Sequence, residues 1–304
     1  MQKIFIDGSA GTTGLQIHER LKRRTDIQLL TIDEDKRKDN DARREIFNEA
    51  DIVFLCLPDS AAIEAVSLVE NQNTVVIDTS TAHRVADGWA YGLPELKGKR
   101  EVIKSSKRIA NPGCHASGFI ALVAPLVENK IISADEKLTC FSITGYSGGG
   151  KKMIAEYENH ERNILLDAPR QYGLTQTHKH IPEMMKICGL NSAPIFCPIV
   201  ADYYSGMEVT VALHDNDIEN IKEIYKNYYT DRVIYFSDVN DENGFLSAGK
   251  FSGRDDMTIS VFGNDERILL TARFDNLGKG ASGAAVQNMN LVMGINEFEG
   301  LNIN

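Results

Sequence analysis

One cysteine of five is set apart by its neighbours. Cys114 lies in Asn111-Pro112-Gly113-Cys114-His115-Ala116-Ser117-Gly118, where Pro112 and Gly113 make a turn and an apolar run follows at once. That spacing predicts a thiol in the first turn of a helix. There the positive end of the helix dipole favours the thiolate, the nucleophilic form. Cys56 closes an apolar run, and Cys140, Cys188 and Cys197 have no activating neighbour in sequence. These four read as small apolar packing residues, the commoner fate of a cysteine. A nucleophilic thiol needs a base, which can come from far along the chain. His178-Lys179-His180-Ile181-Pro182-Glu183 offers two histidines at i and i+2, which point the same way in an extended segment. The spacing leaves open which of His178 and His180 is the acid/base. No further ligands stand at metal spacing and no CxxC pair occurs, so neither a metal site nor a disulfide framework is expected.

Other residues suit anions. Gly8-Ser9-Ala10-Gly11-Thr12-Thr13-Gly14 follows an apolar run and precedes a helical pattern. Glycines there allow a tight turn and a close approach to phosphate, and the helix start supplies free N–H groups. The spacing is GxxGxxG rather than GxGxxG, and Gly8, Ser9, Gly11, Thr12, Thr13 and Gly14 are the candidate dinucleotide-binding residues. Asp33 stands where a carboxylate would hold a ribose 2′-hydroxyl of NAD, while Lys36, Arg37 and Lys38 suit the 2′-phosphate of NADP and favour NADP(H). Gly278 and Gly280, ahead of the last helical pattern, are candidates for a second wall of the nucleotide site. Ser80, Thr81, His83 and Arg84 follow a strand pattern at the end of a parallel sheet where ligands collect. Ser147 and Gly149 belong to the run Gly145-Tyr146-Ser147-Gly148-Gly149-Gly150-Lys151, whose N–H groups could cradle phosphate. Ser80, Arg84, Ser147, Gly149 and Glu183 are the candidate substrate-binding residues.

Elements must position these groups. The 304 residues suggest about two domains. Short apolar runs at 3–7, 29–32, 52–56 and 75–78 alternate with helical patterns at 13–24 and 60–70, which implies βαβ units and a parallel sheet over roughly residues 1–110. From residue 114 the pattern changes to an apolar helix over 114–128. A strand follows at 138–144, and from residue 195 onward the strands are longer and alternate more cleanly, at 207–213 and 267–274, with a helix at 218–229 and a strand at 258–262 between them and a polar loop or hairpin over 240–253. This is an α+β pattern on a mainly antiparallel sheet. A helix over 281–298 closes the chain. The fold class is α/β, a Rossmann-type domain joined to an α+β domain. The formal charge of −10 argues against wrapping nucleic acid or coating an anionic membrane. The first apolar run is too short for a signal peptide, and no stretch of about 18 apolar residues occurs, so a cytoplasmic protein is expected.

Taken in chain order, the runs at 8–14, 91–95 (Tyr91-Gly92-Leu93-Pro94-Glu95), 111–114, 178–183 and 278–283 resemble the N-acetyl-γ-glutamyl-phosphate reductases in their shorter form. That family stands beside the aspartate-semialdehyde and glyceraldehyde-phosphate dehydrogenases. The resemblance covers nearly the whole chain. It implies NADPH-dependent reduction of an acyl phosphate in arginine biosynthesis, with release of inorganic phosphate. Cys114 would be the nucleophile, one of His178 and His180 the acid/base, and Arg84 a substrate-binding residue. It also implies a last helix that returns to the first domain, giving domains of 1–113 with 277–304 and of 114–276. The second domain would carry dimer contacts, in a homodimer or homotetramer. An enzyme like aspartate-semialdehyde dehydrogenase is the nearest alternative, since it uses the same thioester chemistry. A non-catalytic dinucleotide-binding protein on the same fold is the other.

Overall fold

The computed structural model describes residues 1–303. Its first strand, β1 (Gln2–Asp7), is buried from Ile4 onward, as an Ile-Phe-Ile run is when both faces of a sheet are covered. There follow α1 (Thr12–Leu21), β2 (Ile27–Leu29), α2 (Asn40–Glu49), β3 (Ile52–Leu55), α3 (Asp59–Ser67), β4 (Val75–Asp78), β5 (Ala90–Tyr91), α4 (Lys99–Ser105) and β6 (Arg108–Ala110). The six strands form one sheet in the order β2-β1-β3-β4-β6-β5, with every pairing parallel. The strand order reverses between β1 and β3, the place where ligands bind in doubly wound sheets. Helix α2 is absent from the sequence reading because its polar run NDARREIFNE buries only Arg43 and Phe47. Its one legible signal is Asp39, whose side chain caps the N–H groups of Asp41 and Ala42.

The chain then builds a second unit from α5 (Cys114–Glu128), β7 (Thr139–Gly145), α6 (Gly150–Glu158), β8 (Arg170–Gln171), α7 (Ile181–Cys188), β9 (Ile195–Ala201), β10 (Met207–His214), α8 (Ile218–Tyr228), β11 (Ile234–Phe236), β12 (Met257–Asn264) and β13 (Arg267–Phe274). Its seven-stranded sheet runs β11-β12-β13-β10-β7-β9-β8. Only β11/β12 and β7/β9 pair in parallel, so the sheet is mixed and mainly antiparallel. The last helix, α9 (Gly283–Met293), belongs with the first unit. Ala285, Val286, Met289 and Leu291 share that unit's core with Ile4, Ile6, Phe54 and Ile77, so the expected return of the last helix holds. It ends earlier than the hydrophobic pattern suggests because Gly294, at φ 69°, takes the left-handed cap position. By contact the units are Met1–Pro94 with Gly98–Pro112 and Ala281–Leu301, and Glu95–Lys97 with Gly113–Gly280 and the residues from Asn302.

Helix α5 is the core of the second unit, with every residue from His115 to Leu126 buried. It nevertheless contains Pro125, which has no N–H to give to the carbonyl of Ala121 one turn back. A buried carbonyl left without a donor is costly. The hydroxyl of Tyr229, just past α8, donates to Ala121 O at 2.7 Å, and Tyr225 on α8 donates to Leu122 O at 2.5 Å. The proline and the tyrosine therefore form a matched pair. Tyr229→Phe should lower unfolding stability in urea by about 1–3 kcal/mol. In a Pro125→Ala background, where residue 125 regains its N–H, the same change should cost clearly less. Equal costs in the two backgrounds would refute the pairing.

Candidate active site

Cys114 is the first residue of α5 and is half-buried. The residue before it, Gly113, is extended (φ −78°, ψ 144°) and has no side chain to cap the helix. The N–H of Gly113 is donated to Glu183 Oε2 at 3.2 Å, from the first turn of α7. Gly280 packs against the thiol-bearing residue. A Cβ at that position would stand 2.8 Å from Cys114 Cβ and 3.1 Å from Asp275 O, so only glycine fits.

The histidines gather around the next residue. His115 is buried, with Nδ1 2.6 Å from Ser142 Oγ and Nε2 2.7 Å from the Tyr172 hydroxyl. Burial, helped by nearby His178, depresses its pKa to about 3, so the ring is neutral at working pH. The rings of His178 and His180 lie 5.9 and 5.5 Å from His115, centroid to centroid, and 4.7 Å from each other. Phe196 closes the cluster at 5.1 Å from His178. The two histidines thus flank the residue after Cys114, while Glu183 reaches the one before it. The expected extended segment is in fact a turn: Ile181 N–H returns to His178 O at 3.0 Å, because the chain must enter α7 at once. The His180 N–H donates to His178 Nδ1 at 3.2 Å, so a neutral His178 carries its proton on Nε2. His180 Nε2 lies 4.0 Å from Glu183 Oε1.

In the first unit, Gly8 turns the chain at φ 83° directly after β1. A Cβ there would run into the carbonyl oxygen of Cys56, at the end of β3. The glycine loop therefore sits where the strand order reverses. Gly11, in the N-cap position of α1, contributes no side chain, and Gly14 lies so close beneath Gly8 that a Cβ on it would meet Gly8 O. Thr12 Oγ1 is buried and has no hydrogen-bond partner among the described residues. An orphan hydroxyl beside a helix start is what a phosphate oxygen would satisfy, so the loop fits a dinucleotide.

Family models give both units the same affiliation. Residues 3–106 match the semialdehyde dehydrogenase NAD-binding domain and residues 114–276 match the semialdehyde dehydrogenase dimerisation domain. The chain belongs to the semialdehyde dehydrogenase family. An N-acetyl-γ-glutamyl-phosphate reductase 2 of Nostoc sp. is 45% identical, over 98% of this chain and 99% of that protein. An N-acetyl-γ-glutamyl-phosphate reductase of Chelativorans sp. is 45% identical, over 96% and 98%. Among solved structures, an aspartate semialdehyde dehydrogenase II complexed with ASA from Vibrio cholerae gives a TM-score of 0.71 at 16% identity, over 96% of this chain and 98% of that one. An aspartate semialdehyde dehydrogenase with NADP from Candida albicans gives 0.70 at 15%, again over 96% and 98%. These two show likeness of fold.

Several residues read from the sequence as ligand contacts are already engaged within the protein. Ser80 Oγ donates to Asp78 Oδ2 at 2.7 Å, and Arg84 donates to the backbone carbonyls of Asn111 and Thr79 at 3.0 and 3.1 Å. The run 145–151 does not offer its first N–H groups to phosphate. Those of Gly145, Tyr146 and Ser147 go to the carbonyls of Gly206, Tyr203 and Tyr204, and Ser147 Oγ accepts from Asn276. Gly149 is exposed at the end of that turn. Glu183 is 1% exposed and holds Gly113. Gly278 and Gly280 fall in the unit that carries Cys114, in a π-turn (Gly278–Ser282) where Gly278 N–H donates to Asp275 Oδ1. Ser9 is exposed and Thr13 half-buried. Lys36, Arg37 and Lys38 are exposed, with Lys36 3.8 Å from Asp33 and Arg37 2.8 Å from Glu34. Such exposed pairs are weak and yield readily to a phosphate. Sequence reasoning missed His115, Ser142 and Tyr172, which lie on three separate stretches and share no motif. Among the described residues no cluster of three metal-ligating side chains occurs.

Three of the other four thiols, Cys56, Cys140 and Cys188, are held in the protonated form. Burial pushes Cys56 up to about 12 and raises Cys140 and Cys188 further. Limited iodoacetamide should therefore label Cys114 first, read by peptide mass mapping. Faster labelling of Cys56 or Cys197 would contradict an activated Cys114.

Proposed function

We propose that the chain reduces N-acetyl-γ-glutamyl phosphate with NADPH to N-acetylglutamate 5-semialdehyde and inorganic phosphate, a step of arginine biosynthesis. The observation that carries this reading is the 44–45% identity, over nearly the whole chain, to proteins bearing that reductase name. The aspartate-semialdehyde alternative has only a likeness of fold at 14–16% identity in its favour. A non-catalytic role leaves the histidine cluster beside Cys114 without a purpose.

In the proposed mechanism the Cys114 thiolate attacks the acyl carbon of the substrate, and the acyl–phosphate bond breaks with phosphate leaving. The product is a thioester on Cys114. NADPH, when bound, supplies the hydride that reduces this thioester. His178, with its proton on Nε2, gives that proton to the carbonyl oxygen as the thiohemiacetal forms. It takes a proton back as the C–S bond breaks and the aldehyde leaves. His180, beside Glu183, serves as its neighbour and alternate acid/base. The start of α5, whose N-cap residue has no side chain, leaves its positive end available to the developing oxyanion. Gly8, Gly11, Thr12 and Gly14 would hold the cofactor diphosphate, and Lys36, Arg37 and Lys38 its 2′-phosphate.

Sequence alternation puts Phe141, Ile143, Ile195, Ile199, Ala212 and Leu269 on the sheet face opposite Val209 and Val211. Phe141, Ile195 and Leu269 are 50%, 58% and 45% exposed. A partly exposed sheet face of this kind, with Glu208 and Thr210 among its apolar residues, suits burial against a second copy, in keeping with the dimerisation-domain match. Among the described residues no helix is long and apolar enough to cross a membrane, and a biosynthetic role fits the cytoplasm.

In the reverse direction, N-acetylglutamate semialdehyde with phosphate should reduce NADP with kcat/KM roughly 100-fold or more above that for aspartate semialdehyde. Cys114→Ser should abolish turnover and leave NADP binding intact. Equal or better turnover of aspartate semialdehyde would overturn the substrate assignment, and an active Cys114→Ser variant would overturn the mechanism. Phe141→Lys should shift the mass measured by light scattering from oligomer to monomer. An unchanged mass would assign the oligomer contact to another face.

A further inference from the structure

The chain reaches His178 by leaving the edge of the second unit's sheet. Strand β8 runs antiparallel to β9, with Arg170 opposite Val200 and Gln171 opposite Ile199. Tyr172 continues this register, its N–H donating to Pro198 O at 3.0 Å. Two residues further on, the same register would set Leu174 opposite Phe196. The strand does not get there. Pro198 has no N–H to give back. Gly173 turns the chain away in the left-handed region, at φ 64°, where a Cβ would stand 3.1 Å from the Pro198 ring. Leu174 ends up 73% exposed.

The place on β9 that Leu174 would have taken is filled by a side chain. Gln176 Oε1 accepts the Phe196 N–H at 2.9 Å, and Gln176 Nε2 donates to Phe196 O at 2.8 Å. A primary amide carries an acceptor and a donor side by side, so it meets these two backbone groups as a strand peptide would. To reach them, Gln176 is itself held at φ 56°, a region that residues other than glycine rarely adopt. Its N–H returns to Gly173 O at 3.0 Å. A tight turn between two left-handed residues is thus fastened to β9 by two hydrogen bonds.

His178 lies two residues beyond this clamp. Its Cδ2 is 3.9 Å from where a Cβ on Gly173 would stand, and its ring packs on that of Phe196 with centroids 5.1 Å apart. The Phe196 ring also lies 5.3 Å from His115, the residue after Cys114. Phe196 therefore gives its backbone to Gln176 and its ring to both histidines. Protection of a sheet edge alone does not account for the glutamine. A straight continuation of β8 would cover the same edge with its own backbone and no strained residue. Strain of this kind persists only where the surroundings impose it. What the detour achieves is the delivery of His178.

We propose that Gln176 is a positioning residue for His178, its amide standing in for a strand peptide on β9 so that the turn holds the imidazole in place. The proposal rests on the reading of His178 as the acid/base.

The experiment is steady-state kinetics with N-acetylglutamate semialdehyde, phosphate and NADP. Wild type, Gln176→Ala, Gln176→Gly, His178→Asn and the double variant Gln176→Ala with His178→Asn are compared after thermal melts establish folding. Gln176→Ala should lower kcat about 10–100-fold with KM changed less than about threefold, the mark of a misplaced acid/base rather than of lost binding. Gln176→Gly removes the clamp and relieves the left-handed backbone together, so it serves if Gln176→Ala does not fold, and it should show the same loss. In the His178→Asn background, Gln176→Ala should cost less than about a further twofold, because nothing is left for it to position. A general loosening of the fold would carry over in full. A kcat within about twofold of wild type in a folded Gln176→Ala or Gln176→Gly variant overturns the proposal, as does a loss of equal size in the His178→Asn background. Wild-type kcat in His178→Asn instead overturns the reading on which the proposal rests.

Discussion

The contact between the Gly113 N–H and the carboxylate of Glu183, 3.2 Å long and buried, is what the proposed chemistry depends on. Gly113 cannot cap α5 with a side chain, and the helix end it leaves is the one that carries Cys114. The carboxylate comes from the first turn of α7, where a negative charge is favoured by that helix's own dipole. One buried charge therefore joins two helix starts. It fixes the thiol-bearing turn relative to the turn that carries His178 and His180. A carboxylate in the core is tolerated only because it is hydrogen-bonded on arrival, so the site and the local fold share one set of bonds.

The same economy explains why several expected ligand groups face inward. Ser80 and Arg84 tie the segment after β4 to Asp78 and to the carbonyls of Thr79 and Asn111. Ser147 and the N–H groups around it join β7 to the Tyr203–Gly206 turn. Loops that end strands near a site must first satisfy their own backbone. What remains open to ligands is what backbone bonding leaves over: the orphan Thr12 hydroxyl, the uncapped start of α5 and the exposed cations at 36–38.

The parallel sheet, the strand–glycine–helix opening and the helix starting at Cys114 were all legible in sequence, because each is a local pattern of period and turn residues. The histidine motif, singled out by its residue types, comes to lie beside His115, the residue after Cys114. Helix α2 was not legible, since it buries so little. The turn at 178–180 was misjudged as extended, because a proline at position 182 can follow a strand or sit in the first turn of a helix. Gly278 and Gly280 read as candidates for a second wall of the nucleotide site, and the structure adds a packing requirement, since a Cβ on Gly278 would meet Arg254 O and one on Gly280 would meet Cys114. Ser142 and Tyr172 carry no motif, and His115 stands in the Cys114 run with no signal of its own. Their relation exists only after β7, α5 and the strand-end at 171 are folded together.

In the proposed reaction Cys114 becomes acylated before any hydride moves. The direct measurement is to mix enzyme with freshly generated N-acetyl-γ-glutamyl phosphate in the absence of NADPH, follow phosphate release, and locate the adduct by mass spectrometry. A burst of one phosphate per active chain and an N-acetylglutamyl thioester on Cys114, discharged to aldehyde when NADPH is added, are the expected result. Phosphate release that waits for NADPH, or an adduct on another residue, would contradict it.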